Sequence, residues 1–226
     1  MAVDPRKRQK KLERRKAKQK AERRELARHA AGGIRARFEQ ASKAPILHCF
    51  AADVVWQQGI GEVLISRQLK DGNVAFVTFL LDMYCLGVKT VIMNIVPPAL
   101  YRERMYRRLA DEYQLVPLKP ECARKLVEGA VAYALDLGLP PDPEYRIARL
   151  IFGDVQAEAC DQTFVYGKDG KPFFVAGPRD DPARCKEVIR TLEESCGPGG
   201  FHFLIPIAGD TEVRIMDEGP EPRRPL

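Results

Sequence analysis

The chain has 226 residues, of which 45% are hydrophobic and 30% charged, with 37 Lys and Arg against 31 Asp and Glu. This composition excludes a chain that is disordered throughout and is typical of one globular domain or two small ones. The most apolar window, residues 74–96, is a poor transmembrane candidate because Asp82 and Lys89 interrupt it.

The positive charge is concentrated in the first 43 residues, which hold 16 Lys and Arg against 5 Asp and Glu, a net charge of +11. Residues 44–226 hold 21 against 26, a net charge of −5. Such asymmetry indicates a polyanionic partner. We predict a basic arm (1–43), a globular body (44–216) that would divide near residue 154 if it contains two units, and a loose tail (217–226).

The arm is predicted to bind nucleic acid through its cationic side chains. Like charges four residues apart repel along a helix, although Lys, Arg, Gln, Glu and Ala favour helix formation. We therefore expect an arm that is disordered alone and becomes helical when phosphates neutralise the repulsion. The candidate phosphate-binding residues are Arg6, Lys7, Arg8, Lys10, Lys11, Arg14, Arg15, Lys16, Lys18, Lys20, Arg23, Arg24 and Arg28.

Targeting functions fit the arm poorly. No apolar run follows its charges, as a secretory signal requires, and it contains Glu13, Glu22 and Glu25, whereas transit peptides are poor in acidic residues. It also has too few large apolar residues for a helix that lies on a membrane surface. We therefore expect a cytoplasmic protein without a membrane partner.

The body begins with an apolar stretch, APILHCFAADVVW, that indicates a strand or a short helix. Just before it, Ile34 and Phe38 are one helical turn apart and predict where the arm becomes attached to the body. These residues are the first apolar pair at helical spacing after Gly32-Gly33.

A β-hairpin is predicted next, because Asp71-Gly72 lies between two apolar runs. Its strands are expected near residues 62–69 and 73–83. The second run is almost continuously apolar, which indicates a strand covered on both faces. A third run, residues 88–96, predicts another strand.

Three helices are predicted between residues 98 and 152. Pro98, Pro120 and Pro143 suit first-turn positions, and Gly138 suits the end of a helix. The first helix is basic and could extend the phosphate-binding surface of the arm, although we favour an ordinary solvated helix face as the explanation of such charges. Its basic residues are Arg102, Arg104, Arg107 and Arg108.

The C-terminal part returns to β signals. The segment TFVYGKDGKPFFVAG places Asp169-Gly170 between two aromatic runs and predicts a second hairpin. Asp181 is expected to cap a helix, and FHFLIPI predicts a last strand. This order predicts an α+β fold with mostly antiparallel sheet built from two hairpins and packed helices.

The six cysteines carry no metal-binding pattern, because no two of them are separated by only two residues, as zinc sites usually require. On a strand, the neighbours His48 and Cys49 would point to opposite faces. We predict reduced, mostly buried thiols and neither metal nor cofactor. The cysteines are Cys49, Cys85, Cys122, Cys160, Cys185 and Cys196.

An enzyme is the first alternative function. Cys85 follows a buried strand and could be a nucleophile if the fold placed His48 or His202 beside it, and Asp82 could be a lone catalytic acid. Each residue also has a structural explanation, since a free cysteine usually packs as a small hydrophobe. We therefore favour a protein that is not an enzyme.

The favoured hypothesis is an accessory protein that binds nucleic acid, with RNA or the ribosome preferred over DNA because arms that fold on binding are common in RNA recognition. The arm is similar in composition to the basic extensions of ribosomal and other RNA-binding proteins. The alternatives are an enzyme or small-ligand domain that uses Cys85 with a histidine, and an interaction module for an acidic protein.

Overall fold

The computed structural model describes residues 33–177 and 180–205. The thirteen cationic candidates from Arg6 to Arg28 and the predicted tail, 217–226, lie outside the described residues. The described part has an α+β fold, which confirms the predicted class. Among its helices, none combines the length and the apolar composition that crossing a membrane requires.

Five strands form one antiparallel sheet. They are Ile46–Ala52 (β1), Ile60–Gln68 (β2), Val74–Asp82 (β3), Gly87–Val96 (β4) and Leu115–Pro117 (β5). Their spatial order is β4-β3-β2-β1-β5. The hairpin predicted at Asp71-Gly72 is confirmed, because β2 and β3 pair on either side of this turn. The strand predicted at residues 88–96 corresponds to β4.

The helices flank this sheet. They are residues 33–41 (α1), Val54–Gln58 (α2), a continuous helix made of Pro98–Tyr101, Arg102–Tyr106 and Arg107–Glu112 (α3), Pro120–Asp136 (α4), Tyr145–Ala148 with the 3-10 turn Arg149–Phe152 (α5), and Pro182–Cys196 (α6). The three helices predicted between residues 98 and 152 are confirmed as α3, α4 and α5. The apolar stretch that opens the body forms both a strand, β1, and a short helix, α2.

Local signals explain where the long helices begin and end. Gly138 adopts φ +79° after α4, a conformation that favours glycine, and the next N–H, of Leu139, donates to the Ala134 carbonyl. Asp181 caps α6 as predicted, because its Oδ1 accepts a hydrogen bond of 2.7 Å from Arg184 N–H. Pro182 then occupies the first helical position.

The alternating side chains of the sheet create two apolar layers. Val63, Ile65 and Phe79 belong to the main core, which α1, α4 and α5 cover. On the opposite face, Leu64 and Phe76 pack in a second layer under Tyr101, Met105 and Leu109 of α3. The sheet is therefore covered on both faces, as the apolar run of β3 predicts.

The helix α1 is part of this packed structure although it lies within the predicted arm. Phe38 and Ala41 are fully buried in the main core, and Ile34 packs against it. The attachment predicted at Ile34 and Phe38 is confirmed. The cationic segment before it therefore leads directly into an anchored helix.

The predicted second hairpin is wrong. The turn at Asp169-Gly170 forms, with mutual backbone hydrogen bonds between Lys168 and Lys171, but it closes a single isolated bridge. The strand after it, Phe173–Val175 (β6), pairs in parallel with His202–Leu204 (β7) instead.

The aromatic run before that turn has another role. The Tyr166 hydroxyl donates to the Leu126 carbonyl at 3.0 Å, and Phe164 and Tyr166 pack against the main core. Gly129 makes the approach to α4 feasible, since a Cβ there would lie 2.1 Å from the Tyr166 hydroxyl. Tyr166 packs on α4 and Phe164 stacks on Trp56 of α2, and so this segment does not pair as a strand.

The expectation of six reduced thiols is also wrong. Cys122, in the first turn of α4, forms a disulfide with Cys160, which lies 38 residues later in sequence. Cys49, Cys85, Cys185 and Cys196 are free. The pairing could not be predicted from spacing, because it depends on the packing of α4 against the turn Ala157–Ala159.

Buried Arg67 joins three segments of the chain. Its side chain is on β2, the residue is 4% exposed, and its guanidinium donates to the carbonyls of Ile151 (2.6 Å), Phe152 (2.7 Å) and Ala44. Burial lowers the pKa of Arg67. The three carbonyls satisfy the donors of a cation that would otherwise be costly to bury, and they fix the end of α5 to the loop after α1.

Candidate functional site

An open cleft of about 510 Å³ lies beside α1, where the predicted arm meets the body. One wall comes from α1 and the loop after it, with Arg37 and Lys43, and another comes from the turn between β2 and β3, with Lys70 and Asp71. Ile95, near the end of β4, supplies part of its apolar lining. We call this feature the basic cleft.

The basic cleft carries more positive than negative charge. Arg37, Lys43 and Lys70 are exposed, and among the described residues none of them forms an ion pair. The one carboxylate in its lining, Asp71, accepts hydrogen bonds of 2.9 Å from the backbone and side-chain nitrogens of Asn73, which lower its pKa. The three cations are therefore available to an anion.

The cleft is held by packed elements. Phe38 and Ala41 anchor α1 in the main core, so that the exposed side chains of Arg37 and Lys43 are attached to fixed backbone. The opposite wall is a closed turn, in which Gly72 N–H donates to Leu69 O at 3.1 Å. Little backbone rearrangement is therefore needed when an anion binds.

A second cleft of the same volume lies between β4, the loop after α4, and α6. Its charges are largely compensated, because Lys89 donates to Asp180 at 2.6 Å and Arg184 pairs with Glu187 at 3.0 Å. The second cleft therefore lacks the excess positive charge of the basic cleft.

The candidate nucleophile Cys85 is fully buried, in a cluster with Phe174 and Val188. Burial, and then the nearby Asp82 carboxylate, raise the pKa of the Cys85 thiol, which disfavours the reactive thiolate. Among the described residues, the hydrogen-bond partners of the His48 ring do not include Cys85.

His202 lies in β7, where it is half-buried and its backbone N–H donates to Pro172 O at 2.8 Å. Within the part of the chain that the structure describes, neither His48 nor His202 forms a side-chain hydrogen bond with Cys85.

The candidate acid Asp82 closes the turn between β3 and β4. Its Oδ1 accepts hydrogen bonds from the backbone N–H groups of Tyr84 (2.9 Å) and Cys85 (3.0 Å). Burial raises the pKa of Asp82 to about 6, a value that suits a general acid. The residue is only 4% exposed, however, and neither cleft is lined by it. Its contacts therefore support a role in the turn.

His48 belongs to a closed hydrogen-bonded ring. Its backbone N–H donates to Ser66 Oγ (3.2 Å), Ser66 Oγ lies 3.0 Å from the Tyr101 hydroxyl, and that hydroxyl lies 2.8 Å from His48 Nδ1. When Nδ1 is the acceptor, Ser66 donates to Tyr101, Tyr101 donates to His48, and the His48 ring is neutral. Burial lowers the pKa of His48 in agreement with this arrangement.

We expect His48 to make stability depend on pH. Because its pKa is lower in the folded than in the unfolded chain, its contribution is complete above about pH 6.5 and is lost as the pH falls through the folded-state value. Urea denaturation should show stability falling more steeply between about pH 7 and pH 5 in the native protein than in His48→Gln. The raised pKa of Asp82 makes stability increase as the pH falls, but this contribution is the same in both proteins. Plots of stability against pH that run parallel for the native protein and His48→Gln would therefore contradict the prediction.

One group of residues has the composition of a metal site. Single ligand atoms of Cys122, Cys160 and Asp161 lie within 4.8 Å of one another. The two sulfur atoms are joined in the disulfide and are therefore not thiolate ligands. This group does not support a metal centre.

Sequence reasoning did not single out the cleft residues. Arg37 and Lys43 were counted in the charge of the arm, and Lys70 precedes the predicted Asp71-Gly72 turn, but nothing in the spacing shows that the three share a surface. A turn signal with an adjacent lysine was the one local indication.

Comparison with known proteins provides no independent assignment. No protein-family model matches the chain, and neither do curated proteins or solved structures. Function is therefore argued from the residues of this chain.

Proposed function

We propose that this protein binds nucleic acid, with RNA or the ribosome preferred over DNA, and that it acts as an accessory protein rather than an enzyme. The observation that carries the proposal is the basic cleft, which has three exposed cations without ion-pair partners among the described residues and adjoins the cationic arm. The arm supplies charge, and the cleft extends that charge onto a folded surface.

Phosphate is the anion that best suits this arrangement. The thirteen Lys and Arg between Arg6 and Arg28 are distributed along a linear segment, as an extended polyanion requires. Arg37 and Lys43 continue the series, and Lys70 lines the same cleft. Such contacts position a protein on a phosphate backbone without reading its sequence, so we expect low sequence specificity.

An acidic protein is the competing partner. Both ligands would be attracted by the same cations, but only nucleic acid would be released by nucleases. Isolation of the native protein from cells with and without RNase and DNase treatment distinguishes them. Loss of the partners after RNase supports the proposal, whereas partners that remain after both treatments contradict it.

The cleft itself makes a quantitative prediction. Replacing Arg37, Lys43 and Lys70 together by Gln should flatten the plot of log affinity against log salt by up to about 2 units for single-stranded RNA. The thermal midpoint should change little, because all three side chains are exposed. Fluorescence anisotropy with a labelled strand measures the affinity.

A matched variant controls for net charge. Arg146, Lys186 and Arg190 are exposed cations that do not line the basic cleft, so their joint replacement by Gln removes the same charge elsewhere. Equal loss of affinity in the two variants would show that the cleft has no specific role.

A further inference from the structure

A cluster of aromatic rings lies between β1 and α3, apart from the basic cleft. The His48 and Tyr106 ring centroids are 5.0 Å apart and nearly stacked, and Phe50 meets Tyr106 edge-on at 5.9 Å. All three residues are half-buried. We call these three residues the aromatic platform.

Contacts with Tyr101 and with the apolar layer under α3 hold the platform in place. The ring of His48 is hydrogen-bonded through Nδ1 to the hydroxyl of buried Tyr101, which is also hydrogen-bonded to buried Ser66. Phe50 and Tyr106 pack against the apolar layer under α3. Because these contacts already fix the rings, a ligand would not have to order them on binding.

An irregularity of α3 lies at the platform residue Tyr106. Residues Arg102–Tyr106 form a π-helical turn, in which Arg107 N–H donates to Arg102 O and brings these two residues onto one side of the helix. Tyr106 ends this turn, next to Arg107 in the sequence, and its ring contacts those of His48 and Phe50 on β1. Single π-turns within helices occur frequently at functional sites.

The charges of these arginines are not compensated by nearby acids. Arg102 and Arg107 are exposed and, within the described residues, form no ion pair, whereas Arg108 on the same helix pairs with Glu62 at 2.7 Å and Glu112 at 3.2 Å. The platform therefore combines three half-buried aromatic residues with two exposed cations of the helix that carries Tyr106.

The geometry points to a binding site for unpaired bases of a single-stranded nucleic acid. Aromatic side chains next to Lys and Arg are the usual means of binding single strands, because every base has a face that can stack while its phosphate contacts a cation. A base inside a duplex cannot offer its face in this way. The inference rests on the proposed function and adds to it a preference for single-stranded segments.

The platform and the basic cleft lie at the same end of the sheet. Pro45 lines the cleft, and His48 follows it after three residues of extended chain, which span roughly 10 Å. The start of α3 follows the end of β4, which contributes Ile95 to the cleft. The two sites face opposite sides of the sheet, because α1 covers the main core and α3 covers the second apolar layer, so they are separate contacts for one nucleic acid.

Replacing the platform tyrosine tests the inference. Tyr106→Leu keeps an apolar side chain under α3 but removes the ring, whereas Tyr106→Phe keeps the ring. The probes are an oligouridine of about 12 nucleotides and an RNA duplex of the same length. We expect Tyr106→Leu to weaken oligouridine binding at least about fivefold, with duplex affinity unchanged and Tyr106→Phe close to the native protein.

A second variant covers the case in which Tyr106→Leu does not fold. Arg102 and Arg107 are exposed, so their joint replacement by Gln leaves the core intact; the control replaces Arg146 and Lys186, which are exposed on other helices. Greater loss of oligouridine affinity in the first pair than in the control supports the site.

The outcomes separate this inference from the proposed function. Base stacking is overturned if Tyr106→Leu binds oligouridine as well as the native protein does, or if it loses affinity equally for oligouridine and duplex. In that case, weaker binding by the variant of the basic cleft would still support phosphate binding. If the native protein binds neither probe, the proposed function fails and this inference fails with it.

Discussion

Replacing Arg67 by Met is expected to lower the free energy of unfolding by about 3 kcal/mol or more, because a buried acceptor left unpaired costs about 1–3 kcal/mol. The guanidinium serves the carbonyls of Ala44, Ile151 and Phe152, and all three would lose their charged donor together. The Met side chain is apolar and fills part of the same space, but it has no N–H group to donate. Urea denaturation of both proteins measures the difference.

Two controls define the role of the guanidinium. Arg67→Lys keeps the positive charge but lacks the planar fork of donors, so it should recover only part of the loss. Arg35→Met removes an exposed arginine whose ion pair with Glu39 lies within one helix, and should change stability by about 0.5 kcal/mol or less. If Arg67→Met lowered the free energy of unfolding as little as Arg35→Met does, the stabilising role of the Arg67 guanidinium would be contradicted.

Removing residues 1–30 is expected to abolish most of the affinity for nucleic acid and to leave a folded body. The deleted segment contains all thirteen cationic candidates, whereas the first buried anchor of the described chain, Phe38, is retained. The affinity should fall by orders of magnitude at low salt, since each phosphate contact contributes to counterion release. The thermal midpoint should hardly change.

The basic cleft should retain weak binding in the truncated protein, because Arg37, Lys43 and Lys70 remain. Anisotropy titrations and thermal unfolding of the same preparation measure the two properties together. Unfolding of the truncated chain, or affinity equal to that of the full chain, would show that the division between arm and body is incorrect.

Much of the fold could be predicted because its signals are local. The Asp71-Gly72 turn, the proline at the first position of α4 and the glycine after it each act through their own backbone preferences. The continuous apolar run of β3 indicated that both faces of this strand are covered. None of these predictions required knowledge of a distant contact.

The predictions that failed depend on contacts between segments that are far apart in sequence. The run before Asp169-Gly170 has the composition of a strand, but Tyr166 packs against α4 and Phe164 against Trp56 of α2, and these tertiary contacts determine its conformation. The Cys122–Cys160 disulfide and the three partners of Arg67 likewise join segments that are far apart in sequence. Local patterns carry no information about such pairs.

The candidate site shows the same limit. The charge of the arm can be counted in the sequence, but the cleft brings together Arg37, Lys43 and Lys70 from separate parts of the chain. The aromatic platform needs both the pairing of His48 with α3 and the π-turn that precedes Arg107. Its arginines were predicted as a basic helix, but their aromatic neighbours were not.

The salt dependence of RNA binding tests the central claim most directly. If about half of the thirteen arm cations contact phosphates, log affinity against log salt should have a slope of about −4 for a single strand and −5 to −6 for a duplex. Replacing Arg14, Arg15, Lys16, Lys18 and Lys20 by Gln should flatten the slope by up to about 3 units and leave weak binding. Tight affinity that is nearly independent of salt, or unchanged by these substitutions, would contradict phosphate binding by the arm.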